Sequence, residues 1–302
     1  MMESLVETTW LAAHLGQPGL RIVDGRWRGD NSGRLLYRET HIPGAVHLDW
    51  HLDLNDVDEQ GVPDRILPPE GFAAVMQAAG IGDETWVIAY ADTEYSGAAR
   101  LWWALRYYGH DNVSVLNGGI SKWLAEGRPV EAGETPPFPT AGPFTPRPQA
   151  HWLATAAEIE AAVAAGPAST LIALVDTRPP EQYAGRAVWT PNGSLYLPPG
   201  QDWVEVDGRW LRGGHIPGAV SLPSPDNLNP ADWTYLSPAA LRERFVAAGV
   251  RLEQRVITYC GVGISGSLGL FALHLAGYSN LALYDASWVE WGADPQRPIA
   301  LS

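Results

Sequence analysis

Short apolar runs recur along the chain, separated by longer stretches in which apolar positions return every three or four residues. In the first half the runs are "LRIVD" from Leu20, "TWVIAY" from Thr85 and "NVSVL" from Asn112. In the second half they are "LIALVD" from Leu171, "RVITY" from Arg255 and "LALY" from Leu281. Runs this short, rich in branched residues and apolar at successive positions, predict strands covered on both faces. Helical spacing lies between them, at Pro69 to Ala79, Gly97 to Tyr108, Ser237 to Ala248 and Gly266 to Ala276. Alternation of strands and helices implies an α/β fold, a mainly parallel sheet with helices on both faces, formed once in each half.

The halves also repeat each other in sequence. "RIVDGRW" from Arg21 matches "ALVDTRP" from Ala173, and "HIPGAVHLD" from His41 matches "HIPGAVSLP" from His215. "PPEGFAAVMQAAGI" from Pro68 matches "SPAALRERFVAAGV" from Ser237, and "WVIAYADTEYSGAARLWWAL" from Trp86 matches "RVITYCGVGISGSLGLFAL" from Arg255. The same order in both halves implies a duplicated domain. Between them, Gly127 to Ala150 is dense in proline and glycine and carries no periodic pattern. The predicted organisation is a first domain over 1–130, a linker over 131–150 and a second domain over 151–302.

Composition narrows the function. A formal net charge of −14 disfavours nucleic-acid or anionic-membrane partners, which need lysine and arginine counter-charge. One cysteine in 302 residues forbids an internal disulfide or a cysteine metal cluster and fits a reducing compartment. With no signal-like start and no apolar run of about 18 residues, the expected setting is cytoplasmic, without a membrane partner.

That cysteine, Cys260, follows the strand "VITY" and opens "CGVGISG". Gly261, Gly263 and Gly266 spell the dinucleotide fingerprint, and Asp285 stands 19 residues after Gly266, where a ribose-binding acid belongs. Only 17 residues follow Asp285, however, too few to complete a dinucleotide fold, and the matching loop of the first half, "ADTEYSG", lacks the first two glycines. A phosphate-clamping arginine six positions after the cysteine is also missing, because that position is Gly266. A thiol reading uses more of the residues. Glycines let successive backbone amides converge on a sulfur at a helix N-terminus, where the dipole favours the thiolate. Ser265 occupies the expected N-cap. The plainer alternative is a buried structural cysteine.

The two halves, the "HIPGAV" pair, "LVDTRPPEQY", "CGVGIS" and the ending "YDASWVEWGADPQRPIA" together resemble a tandem-domain rhodanese-type sulfurtransferase. That resemblance implies two rhodanese folds and catalysis through a Cys260 persulfide, without metal or organic cofactor. It implies a small anionic sulfur donor and a thiol acceptor, such as a small thiol or a thioredoxin-like protein. Ala91 aligns with Cys260, so the first domain is expected to be catalytically silent. The uncharged loop of Gly261, Val262, Gly263, Ile264, Ser265 and Gly266 resembles the 3-mercaptopyruvate branch more than the thiosulfate branch, whose loop tends to carry basic residues. In that branch Ser265 would act with His41 and Asp30 as a proton relay, although the second "HIPGA" histidine, His215, suggests an equally plausible structural role for His41. The family's arginine four residues after Arg178 is replaced by Gln182, which leaves Arg178 and Arg186 as candidates for the donor, with an Asp176–Arg178 ion pair as the structural alternative for Arg178. Trp102, Trp103, Trp123 and Trp291 are expected in the core or at the domain interface, and Trp288 is a candidate for the pocket wall. Residues 188–212 form an insertion absent from the first half, expected to shape the pocket.

Overall fold

A computed structural model describes residues 3–30, 32–59, 61–92, 96–136, 142–166, 171–206 and 208–302. The chain divides into two units. One comprises Met1–Asp56, Ile66–Gln149 and Leu228–Tyr235; the other comprises Val57–Arg65, Ala150–Asn227 and Leu236–Ser302.

The first unit is built on a parallel five-stranded sheet in the spatial order Leu5–Val6, Val113–Leu116, Trp86–Tyr90, Leu20–Asp24, Ala45–His47. Val87, Ile88, Ala89 and Tyr90 are all buried, and because successive strand side chains point to opposite faces, both faces of the sheet are covered. Ile22, Ile88 and Tyr90 pack on one side with Leu11, Tyr37, Ile120 and Trp123, which come from the helices Thr8–Ala13, Gly33–Glu39 and Gly119–Ala125. The helix Ser96–Tyr107 packs on the central strands, and Gly97 is required there because a Cβ would fall 1.9 Å from the carbonyl oxygen of Gly25.

The second unit repeats the plan with a parallel sheet ordered Val220–Ser221, Ile172–Asp176, Arg255–Tyr259, Leu281–Leu283. A bridge from Leu153 to Leu283 takes the place of the outer strand. Val256 to Tyr259 are again wholly buried. The helices Pro238–Ala247 and Ile264–Leu275 pack against each other, and Gly269 lets the latter approach Thr177, whose methyl would lie 2.6 Å from an added Cβ.

The described residues of 131–149, inside the segment expected as a linker, lie on the first unit. His41 and Glu131 exchange backbone hydrogen bonds, Thr135 N donates to the Tyr37 hydroxyl, Asp83 N donates to Pro143 O, Gln149 N donates to Tyr107 O, and Phe144 is buried. Extended chain bonded one residue at a time to a neighbouring surface leaves no periodic signature. The insertion, with Ala187 just before it, carries two antiparallel hairpins, Ala187–Thr190 with Gly193–Tyr196 and Trp203–Val206 with Arg209–Arg212, in the second unit. Trp102, Trp103, Trp123 and Trp291 are fully buried, as their repeated positions suggested.

Candidate functional site

Cys260 directly follows the inner strand Arg255–Tyr259 of the second unit, at the carboxyl edge where parallel sheets place ligand sites. It is a free thiol, buried at 3% exposure. The residues after it turn at Gly263, whose φ of +83° is the left-handed conformation that glycine adopts without penalty. The helix begins at Ile264, and Gly263 is its N-cap. Ser265 is therefore inside the first turn and not the cap, and Gly266 does not open the helix. A Cβ on Gly266 would meet Leu283 Cδ1 at 2.8 Å, so this glycine serves close packing of helix on sheet. Val262 and Ile264 are buried beside it.

The loop is pinned from the tail. Cys260 N donates to Ser287 Oγ at 3.1 Å, Trp288 N donates to Cys260 O at 3.0 Å, and Val289 N donates to Gly261 O at 2.9 Å. Ser287 holds a φ of +51° and is wholly buried, a strained backbone for a residue with a side chain. Its hydroxyl donates to Tyr284 O, which leaves its lone pairs toward the amide of Cys260. Asp285, the residue at the ribose-acid spacing, is 1% exposed and lies on Gly263: a Cβ there would be 2.7 Å from its carbonyl oxygen and 3.0 Å from Oδ1. Trp189 of the first hairpin covers Gly261, where a Cβ would be 2.6 Å from the indole Cγ.

Arg178 lies beneath this loop. Its Nε and Nη2 donate to Asp176, its Nη2 also donates to Gly214 O, and its guanidinium stacks 4.4 Å from the Trp288 ring. Burial pulls the guanidinium down, but the Asp176 carboxylate outweighs it and holds the group above its ordinary value, with Tyr259 and Cys260 acting in the same direction. Nη1 of Arg178 is buried without a hydrogen-bond partner. Burial also pushes the Tyr259 hydroxyl well above its ordinary range, with Asp176 adding to the effect. The first unit repeats the arrangement in Asp24, Arg26 and Tyr90, with Ala91 where the second has Cys260.

The remaining expected residues fall as follows. Ser265 is half-buried, with its Oγ 3.3 Å from Thr177 Oγ1, which also donates to Tyr259 O. His41 and Asp30 belong to the first unit. His41 is 1% exposed, stacked on Tyr37 at 4.3 Å, with Nδ1 2.8 Å from Tyr37 O and Nε2 3.4 Å from Thr135 Oγ1. His215 repeats this geometry, stacked on Tyr183 at 3.7 Å with Nδ1 2.9 Å from Tyr183 O. Asp30 is exposed and accepts from Ser32 N ahead of a helix. Among the described residues no hydrogen bond or ion pair joins Asp30 to His41. Gln182 is 2% exposed and donates to Ser194 Oγ, which donates to Glu181 Oε1; it ties the first hairpin to the short helix Pro180–Tyr183. Arg186 is exposed, and among the described residues its side chain makes no hydrogen bond or ion pair. Sequence reasoning missed Ser287, Asp285, Trp189 and Thr177 as loop neighbours. The "YDASWVEW" run carried the signal for the first two. No group of three or more metal-ligating side chains occurs among the described residues, and among them no helix is long and apolar enough to cross a membrane.

The family model described as rhodanese-like domain matches residues 7–126 and again 155–294. A probable 3-mercaptopyruvate sulfurtransferase of Pseudomonas aeruginosa is 34% identical, over 98% of this chain and 97% of the relative. A thiosulfate sulfurtransferase of Corynebacterium glutamicum is likewise 34% identical, over 98% of this chain and 90% of the relative. The crystal structure of SseA, a 3-mercaptopyruvate sulfotransferase from Escherichia coli, superposes with a TM-score of 0.77 at 26% identity, covering 95% of this chain and 99% of that one. With its sheet built twice and its loop carried by the second copy, the chain belongs to the rhodanese-like family as a tandem-domain sulfurtransferase of the 3-mercaptopyruvate and thiosulfate group.

Proposed function

We propose that the chain moves a sulfur atom from 3-mercaptopyruvate to a thiol or cyanide through a persulfide on Cys260. The Cys260 thiolate attacks the donor sulfur, the donor carbon–sulfur bond breaks, and the carbon fragment leaves as an enolate that takes up a proton. An acceptor thiolate or cyanide then attacks the outer sulfur, and Cys260 leaves as a thiolate, so the two half-reactions predict ping-pong kinetics. The observation that carries this reading is the setting of Cys260: it follows a strand end and leads through a glycine turn into the N-terminus of a 12-residue helix, beside the buried Arg178–Asp176 pair.

The donor carboxylate falls to Arg178 in this reading. Its buried, unpaired Nη1 is a donor without an acceptor, and a carboxylate would supply one. Gln182 is a poor substitute for the clamp, because it carries no charge and its Nε2 donates to Ser194. Ser265, the hydroxyl residue of the loop, sits beside Thr177 in the first turn and could carry the proton to the enolate. The loop contributes no basic side chain to a dianionic donor, which favours 3-mercaptopyruvate over thiosulfate. A reactive lone thiol suits a reducing, cytoplasmic setting with a small thiol or thioredoxin-like acceptor.

Intact mass after donor treatment tests the reading. Wild type should gain about one sulfur mass and lose it to cyanide, and Cys260→Ser should gain none. Loading by a partner sulfur carrier but by neither small donor would replace catalysis with sulfur carriage. A kcat/KM for thiosulfate equal to or above that for 3-mercaptopyruvate would reverse the donor assignment.

A further inference from the structure

The Cys260 loop rests on a carboxylate whose charge the proposed chemistry does not use. The Asp285 side chain has no exposed surface, and both its carboxyl and its carbonyl oxygen lie against Gly263. A carboxylate removed from water is costly unless a positive charge or hydrogen bonds compensate it. Part of that compensation is Arg65, whose Nη1 stands 3.2 Å from Asp285 Oδ2 and whose Nε stands 3.5 Å from Asp58 Oδ2. Arg65 lies in the segment Val57–Arg65, which the sequence places inside the first repeat but which folds as part of the second unit. Its Nη1 makes no aligned hydrogen bond, so its contact with Asp285 is chiefly one of charge.

We propose that Arg65 and Asp285 are positioning residues for Cys260: Asp285 seats the loop at Gly263, and Arg65 cancels the field that the carboxylate would otherwise impose on the thiolate. This rests on Cys260 being the loaded thiol, which the mass gain of the wild-type protein establishes separately. Cys260 and Gly263 are three residues apart, so their Cα atoms lie within about 11 Å. An unbalanced unit charge at roughly 10 Å in a protein interior shifts a titration by about one pH unit. The other charged or titratable groups around the loop are Arg178 with Asp176, Tyr259, and Tyr284, which donates to Glu290. They are unchanged in the variants below.

The test is the titration of the thiolate by its ultraviolet absorbance, which reports one site because the chain has one cysteine. Arg65→Gln should raise the midpoint by about one unit, and Asp285→Asn should lower it by a similar amount. The double variant should return to within a few tenths of wild type. Arg65→Lys, which keeps the charge on a part-exposed segment, should stay near wild type and serves as the control if Asp285→Asn does not fold. Sulfur loading by Arg65→Gln should fall up to about tenfold at neutral pH and recover about one unit higher. Shifts of the same sign in both single variants, no shift in Arg65→Gln, or a loading defect that persists at high pH would each overturn the proposal. Failure of wild type to gain sulfur would instead sink the persulfide reading and leave the titration result standing.

Discussion

Replacing Gly263 with alanine should separate the shape of the loop from the stability of the fold. The residue sits at φ +83°, where an L-residue pays about 1–2 kcal/mol, offset by up to about 1 kcal/mol because alanine also restricts the unfolded chain. The new methyl would stand 2.7 Å from Asp285 O, and ordinary contact begins near 3.4 Å, so one side must yield by up to 0.7 Å. That carbonyl belongs to the tail that takes the amide of Cys260 through Ser287 and bonds its carbonyl through Trp288, so the displacement reaches the thiol. Overpacking of this kind adds roughly 1–3 kcal/mol. The net cost is about 2–3 kcal/mol, a Tm decrease of roughly 5–10 °C. A misplacement approaching 1 Å at the reacting atom costs about a hundredfold in rate. The control is Gly249→Ala, which carries a similar φ of +86° but would meet nothing within 4 Å. It should lose about 1 kcal/mol and keep its activity. Thiocyanate formation from cyanide, with thermal unfolding of the same samples, measures both quantities. If Gly263→Ala kept its rate within threefold of wild type, or if both variants lost rate equally, the argument that Asp285 and Gly263 hold the sulfur in place would fail.

Other outcomes follow from the same geometry. Trp189→Ala uncovers Gly261 and should raise KM for the smaller donor by several-fold with a Tm change of only about 2–4 °C, since the ring is part-exposed; an unchanged KM would remove the hairpin from the pocket. Arg178→Met should lower Tm sharply, because it strands Asp176 in the interior at a cost of about 3–5 kcal/mol; stability equal to wild type would mean that Asp176 is not charged there. His110 is buried with Nε2 against Thr85 O, and burial holds it below its ordinary value, so the folded state binds that proton less readily than the unfolded chain. Its contribution is complete above about pH 6.5 and is lost as pH falls through that value toward the lower folded one. Thermal unfolding between pH 7.5 and 5 should show a slope that disappears in His110→Gln, and an identical slope in both would assign it elsewhere.

The elements of the sheet were legible because their strands are buried on both faces, which leaves uninterrupted apolar runs such as "RVITY" that admit few other readings. Duplication was legible because each copy needs the same ties. "HIPGA" supplies the histidine that stacks on Tyr37 or Tyr183, and "D-x-R" supplies the buried pair that closes the strand end. That reasoning also explains why His41 resembles His215 in surroundings and not only in sequence. Cys260 and its glycines stood out locally. What surrounds them did not, because Ser287, Asp285 and Trp189 meet the loop only through tertiary contacts across 22 to 72 residues of chain, and Arg65 reaches Asp285 across 220. The helix start was placed two residues late at Gly266, since a glycine in the left-handed conformation at 263 does the work that a serine cap was expected to do.

A single buried thiol has a consequence for how sulfur must travel under the proposed chemistry. With one cysteine in the chain, no second thiol exists to resolve a persulfide by forming a disulfide, so an internal hand-off is closed. Each loaded chain carries one transferable equivalent until an outside molecule collects it, and the rate of unloading depends on the concentration of that molecule. Overoxidation of the same sulfur has no internal rescue either. The occupancy of Cys260 would then record the balance between donor and acceptor around the protein.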